Sequence, residues 1–170
     1  MALIPIIAHP NPNLRKVSTD ASGARLADAA FQRLLDDMLE TMYAAPGIGL
    51  AAPQVDVHER FMVIDVTEDG SQPLVFVNPV IRGRSKDLRS HQEGCLSIPG
   101  VFADVIRPDG IAVDALDRHG KPFTLEVDGL LATCIQHEVD HLDGRLFIDH
   151  LSALKRDRLL KKYDKLRAGD

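Results

Sequence analysis

Between residues 129 and 142, Leu130, Leu131, Cys134, Ile135 and Val139 cover most of the circumference of a helix, and His137, Glu138 and His141 are set among them. A helix apolar nearly all round is buried, so the rest of the chain must enclose it. Asp128 is placed to N-cap this helix and Gly144 to close it. Residues 136–141 read Gln-His-Glu-Val-Asp-His, an HExxH pattern that puts His137 and His141 one turn apart on one face, the spacing of a metal chelate. Glu138 then stands beside whatever the metal binds. The plain alternative, a solvated amphipathic helix with two surface histidines, fits poorly with so apolar a run.

A catalytic Zn²⁺ site normally takes three protein ligands and keeps one position open, so two histidines leave one ligand to find. Cys95 is the first candidate: it lies in Glu93-Gly94-Cys95-Leu96-Ser97, where a glycine permits close backbone approach. Cys134 shares a face with the histidines, but at about 1.5 Å rise per residue it lies roughly 7 Å along the axis from their midpoint. That is beyond comfortable reach for a metal–sulfur bond of about 2.3 Å, so Cys134 reads as a small apolar core residue. One thiolate and two neutral imidazoles leave a divalent ion with a net charge of about +1, enough to acidify a water at the open position. Hydrolysis is the implied chemistry. Glu138 is positioned to take the proton of that water and return it to the leaving group. Oxyanion donors are also needed, and the Gln54 amide with a backbone N–H near Cys95 would serve, although a loop hydrogen bond accounts for Gln54 equally well.

The 170 residues, 45% hydrophobic and 26% charged, suit one soluble domain spanning 1–170. A net charge of −5 and a pI near 5.8 speak against a DNA-binding body. The apolar opening at residues 2–8 lacks a basic flank and runs into Pro10, Asn11 and Pro12, so it reads as an early strand or packed arm rather than a signal peptide. No apolar run approaches the roughly 20 residues that span a bilayer, and two cysteines give no disulfide scaffold; a reducing cytoplasm is expected. Ala27, Phe31, Leu34, Met38 and Met42 predict a helix over residues 22–43, and Gly and Pro predict an ordered loop over 47–54. Apolar runs at 61–66 and 74–81 predict an antiparallel pair, with further strands near 101–106, 111–116 and 123–127. Ser152 opens a last helix rich in Lys and Arg. The expectation is an α+β fold in which antiparallel sheets pack around the buried HExxH helix, with an N-terminal and a C-terminal helix.

Three segments in this order and spacing resemble peptide deformylases of the bacterial type: Gly47-Ile48-Gly49-Leu50-Ala51-Ala52-Pro53-Gln54, Glu93-Gly94-Cys95-Leu96-Ser97 and Gln136-His137-Glu138-Val139-Asp140-His141. The resemblance covers nearly the whole chain. It implies removal of the N-formyl group from the N-terminal methionine of newly synthesised polypeptides, with release of formate. A metal-bound water or hydroxide attacks the formyl carbonyl, with Glu138 as general base and then acid. The resemblance makes Cys95, His137 and His141 the metal ligands and gives the oxyanion to Gln54 and the Leu96 N–H. Substrate backbone is expected along Ile48, Gly49 and Gly94, and the methionine side chain near Leu130, Thr133, Cys134 and His137. Fe²⁺ is the implied native ion, with Zn²⁺, Ni²⁺ or Co²⁺ able to replace it. Glu93 is expected to pair with Arg107. The basic C-terminal helix resembles one that docks near the ribosomal exit tunnel; a solvated face is the other account of it. A monomer is the default.

Two other readings share parts of this pattern. An HExxH peptidase would take its third ligand downstream, where only Asp149 and His150 are available, and a structural site would be closed by a fourth protein ligand. A family member that has lost activity is disfavoured by the intact Gln54, Glu138 and ligand set.

Overall fold

The structure is a computed structural model and describes residues 2–169. Five strands form one antiparallel sheet in the order β1 (Gly49–Ala51), β2 (Phe61–Ile64), β3 (Leu74–Arg84), β6 (Gly110–Leu116) and β7 (Pro122–Asp128). β4 (Leu88–Cys95) and β5 (Ile98–Pro108) pair only with each other, as a hairpin apart from that sheet. The helices are α1 (Gly23–Ala27), α2 (Ala29–Ala44), α3 (Gly129–Leu142) and α4 (Ala153–Arg167). The α+β class, the antiparallel pairing of β2 with β3 and the terminal helices are as expected.

Three local outcomes differ from the sequence reading. The helix expected over 22–43 is broken at Asp28, whose backbone is extended (φ −77°, ψ 129°) and whose carboxylate accepts the Ala30 N–H as the N-cap of α2. A short acidic side chain that satisfies the first turn competes with helix continuation, which periodicity alone does not register. Part of the loop expected over 47–54 is β1, bonded to β2, followed by a 3-10 turn at Ala52–Val55. β4 escapes a hydrophobicity search because Leu88-Arg-Ser-His-Gln-Glu-Gly-Cys is largely polar. Asp128 holds the N-cap position of α3 without a side-chain capping bond. The opening segment is a packed arm: the Ile4 N–H donates to Thr41 Oγ1 and the Ile7 N–H to the Gln54 carbonyl.

Three apolar clusters form the core, and α3 packs into one of them. Phe31, Leu35, Met38 and Met42 of α2 pack on Leu50, Phe61 and Val63. Met62, Ile64, Phe76 and Val113 of the sheet receive Ala132, Ile135 and Leu142 of α3. Val101 and Val105 of β5 pack with Phe147, Ile148, Leu159 and Tyr163. Of α4 only Leu159 and Tyr163, one turn apart, are buried. α3 is thus enclosed as its composition requires, and Cys134 is core, 5% exposed. No helix among the described residues is long and apolar enough to cross a membrane.

Candidate metal centre

α3 brings His137 and His141 to one face, and the irregular end of β4 turns Cys95 toward them, in register with Ile98 after a shift at Glu93. One donor atom from each of the three lies within 4.8 Å of the others, and Cys95 Sγ is 3.3 Å from His141 Nε2. Around a tetrahedral ion with bonds of 2.0–2.3 Å, adjacent sulfur and nitrogen donors stand roughly 3.5 Å apart, so the observed edge matches. His137 Nδ1 is 2.8 Å from Glu93 Oε1. Burial alone would raise the Glu93 carboxyl, but hydrogen bonds from His137 and Arg107 and the Arg107 charge outweigh it and hold it at about 2. An ionised carboxylate only accepts, so Nδ1 carries a proton and Nε2 of His137 is the nitrogen left to bind a metal.

Electrostatics point the same way. Burial would lower His137, but its contacts with Cys95 and Glu93 hold it well above its ordinary value. These neighbours favour a cation on the ring, and a metal ion would take the Nε2 lone pair in place of a proton. Burial pushes His141 well below, with the His137 charge adding to the effect. His141 Nδ1 and Glu138 Oε2 are buried without a partner among the described residues. A soft thiolate with two imidazoles is a donor set for a divalent transition ion, and the geometry fits one.

Glu138, 3% exposed, follows His137, and burial pushes its carboxyl up to about 7. Gln54 is oriented by its own turn: Oε1 accepts the Ala51 N–H at 2.9 Å, which aims Nε2 at Ser97 Oγ, 3.1 Å away, and at Cys95 Sγ, 3.6 Å away. The loop hydrogen bond and the approach to the centre therefore coexist. A cleft of about 430 Å³ opens over these groups, walled on one side by Ile48 and Gly49, on another by Gly94, Cys95 and Leu96, and floored by Leu130, Thr133, Cys134, His137 and Glu138. Gln54 is not among the residues that line the cleft, and its Nε2 approaches the centre at Cys95 Sγ.

The expected Glu93–Arg107 pair is present, bidentate at 2.7 and 3.0 Å. Ser97 escaped the sequence reading, and so did Asp140, which binds Arg107 at 2.9 Å. A polar residue inside an apolar helix was the available signal for Asp140; nothing marked Ser97. The downstream residues a peptidase would need are otherwise engaged: His150 lies 2.8 Å from Asp140 and Asp149 pairs with Arg15 at 2.6 Å. Among the described residues no fourth His, Cys, Asp or Glu joins the cluster.

The sequence profile described as Polypeptide deformylase matches residues 3–157. Peptide deformylase 2 of Xanthomonas campestris pv. campestris is 59% identical over 167 residues, 98% of each chain, and a peptide deformylase of Xylella fastidiosa is 58% identical over the same share. Among solved structures, a peptide deformylase from Legionella pneumophila superposes with a TM-score of 0.89 at 43% identity over 99% of both chains. One from Ehrlichia chaffeensis, solved in complex with actinonin, gives 0.90 at 39% identity, over 97% of this chain and 98% of that one. Matched over nearly its whole length in sequence and in fold, the chain belongs to the polypeptide deformylase family of enzymes.

Proposed function

We propose that this protein removes the formyl group from the N-terminal methionine of newly made polypeptides in the cytoplasm, releasing formate, as a single catalytic domain over residues 1–170. The observation that carries the reading is the Cys95, His137 and His141 cluster in the cleft with Glu138 buried beside it. These three residues hold a divalent ion, Fe²⁺ natively, in a donor set that also accepts Zn²⁺, Ni²⁺ or Co²⁺. When bound, that ion supplies Lewis acidity, which acidifies water and polarises a carbonyl.

The chain's own residues do the rest. Glu138, held near 7 by burial, takes the proton of the attacking water and passes it to the departing amine, so that the C–N bond breaks to leave formate and a free N-terminus. Gln54 Nε2, pre-aimed by the Ala51 N–H, and the Leu96 N–H donate to the oxyanion that develops on the formyl oxygen. Ile48 and Gly49, at the start of β1, and Gly94 on β4 offer backbone to the extended substrate from the two sides of the cleft, a form of strand addition. Leu130, Thr133 and Cys134 receive the methionine side chain. The protein acts as a monomer. The exposed Lys155, Arg158, Lys161, Lys162 and Lys165 of α4 face outward, as contact with ribosomal RNA requires.

The test is formate release from formyl-Met-Ala-Ser by anaerobically purified protein of measured metal content. Glu138→Ala should keep its metal and lose about 10²- to 10⁴-fold in kcat. Cys95→Ala should lose both metal and activity. No formate from wild type loaded in turn with Fe²⁺, Ni²⁺ and Co²⁺ overturns the assignment.

A further inference from the structure

One chain of hydrogen bonds runs on from the metal centre into parts of the molecule that the proposed reaction leaves unused. Glu93 engages Arg107 along one edge of the guanidinium, through Nε at 2.7 Å and Nη2 at 3.0 Å. The remaining nitrogen, Nη1, donates to Asp140 Oδ2 at 2.9 Å, and the same carboxylate oxygen lies 2.8 Å from His150 Nε2. Arg107 is 5% exposed on β5, Asp140 sits on α3 next to His141, and His150 ends a 3-10 turn at Phe147–His150 with its imidazole reaching solvent. From surface to ligand the order is His150, Asp140, Arg107, Glu93, His137, with acceptors and donors alternating.

The chemistry of the links fixes their direction. A carboxylate beside an arginine only accepts, so His150 Nε2 carries the proton in this contact. The approach of His150 Nε2 to Arg107 Nη1 at 3.5 Å therefore joins two donors and is not a hydrogen bond; His150 acts on Arg107 through Asp140 alone. The guanidinium is gripped at two ends. With Glu93 alone it would pivot about one bidentate pair and leave a buried donor unpaired; with Asp140 it is planar-locked.

We propose that Asp140 and His150 are positioning residues of the metal centre: His150 fixes Asp140, Asp140 fixes Arg107, and the fixed guanidinium holds the Glu93 carboxylate that sets the tautomer and ring angle of His137. This rests on Cys95, His137 and His141 being the metal ligands. Outer partners of this kind change metal affinity by roughly 10- to 100-fold when adjacent to a ligand; two links further out, roughly three- to tenfold is expected.

The experiment compares Co²⁺-loaded wild type, His150→Phe, His150→Gln and Asp140→Asn by the rate of Co²⁺ release to an excess of chelator and by the visible ligand-field and thiolate-to-metal bands. His150→Phe and Asp140→Asn should release Co²⁺ roughly three- to tenfold faster with displaced bands, while His150→Gln, which still donates to Asp140, stays near wild type. A purely structural role would lower thermal midpoints without moving the bands. Release rates and spectra in His150→Phe and Asp140→Asn equal to wild type overturn the proposal, as does His150→Gln behaving like His150→Phe. Should His150→Phe fail to fold, the isosteric Asp140→Asn decides alone. Failure of the wild type to take up one Co²⁺ would instead overturn the ligand assignment, and this proposal with it.

Discussion

An alanine Cβ at Gly49 would lie 2.9 Å from both Cys134 Sγ and Glu138 Oε1, closer than packed carbon atoms approach such neighbours. Both are held on α3, whose fit into the sheet leaves little room to retreat, so the carboxylate would be displaced. Gly49→Ala is expected to keep its metal and its circular dichroism while kcat falls at least about tenfold, since misplacement by even about 1 Å costs rate steeply. Gly23→Ala, with nothing within 4 Å of the new carbon, serves as the neutral control. Full turnover by Gly49→Ala would sink the placement of Glu138. Glu93 makes a second prediction at this scale. Its carboxyl sits at about 2 against an ordinary 4.5, so it contributes stability that is fully present above 4.5 and lost as pH falls through about 2. In metal-free protein, the urea-measured stability gap between wild type and Glu93→Gln, on the order of 3 kcal/mol from this ionisation, should narrow as pH drops from about 5 to about 3. A gap that stays constant would show that the ionised form is not what is stabilised. At residue scale the Cys95, His137 and His141 cluster was legible because HExxH is written within one helix and Cys95 within one short motif. Ser97, Asp140 and His150 were not, because their roles come from contacts that only tertiary folding creates.

Elements were readable where burial is one-sided and regular. β6 alternates Ile111, Val113 and Ala115 inward, and α3 announces its burial by composition. β4 was hidden because its inward positions carry Glu93 and Cys95, polar groups kept there for the site, so the signal of a half-buried strand is absent. The split between α1 and α2 was hidden because Asp28 fits an exposed helical position as well as a cap. The two accounts predict opposite signs for Asp28→Ala. If the cap sets the break, loss of the bond to the Ala30 N–H costs about 1 kcal/mol in urea unfolding. If the break is incidental, alanine's helix propensity makes the variant more stable. A stabilised variant would mean that packing of Leu26 and Phe31, not the cap, ends α1.

Across the whole molecule, the candidate metal centre joins parts that otherwise meet through a buried polar network, in which Glu93 contacts His137 and Arg107 contacts Asp140. Cys95 belongs to the β4–β5 hairpin, packed with the cluster that contains Phe147, Leu159 and Tyr163, whereas His137 and His141 belong to α3, packed on the sheet. An ion bound by all three donors is bound by the folded chain and not by the unfolded one, because residues 95 and 137 meet only after both units have docked. Mass action then sets the size of the effect: at free metal about 100 times Kd the folded state gains about 2.7 kcal/mol. For a chain of this length that corresponds to a rise in Tm of roughly 5 to 10 °C. Scanning calorimetry of chelator-treated protein, titrated with Co²⁺ or Ni²⁺, should show Tm climbing with the logarithm of free metal, and Cys95→Ala should abolish the climb because the donor from the hairpin is gone. Glu138→Ala, which removes no donor, should keep it. A Tm indifferent to metal in the wild type would mean that the three donors do not share an ion. A climb that survives in Cys95→Ala would place the ion on α3 alone, and the hairpin would then owe its position to its apolar packing and to the Glu93–His137 and Arg107–Asp140 contacts.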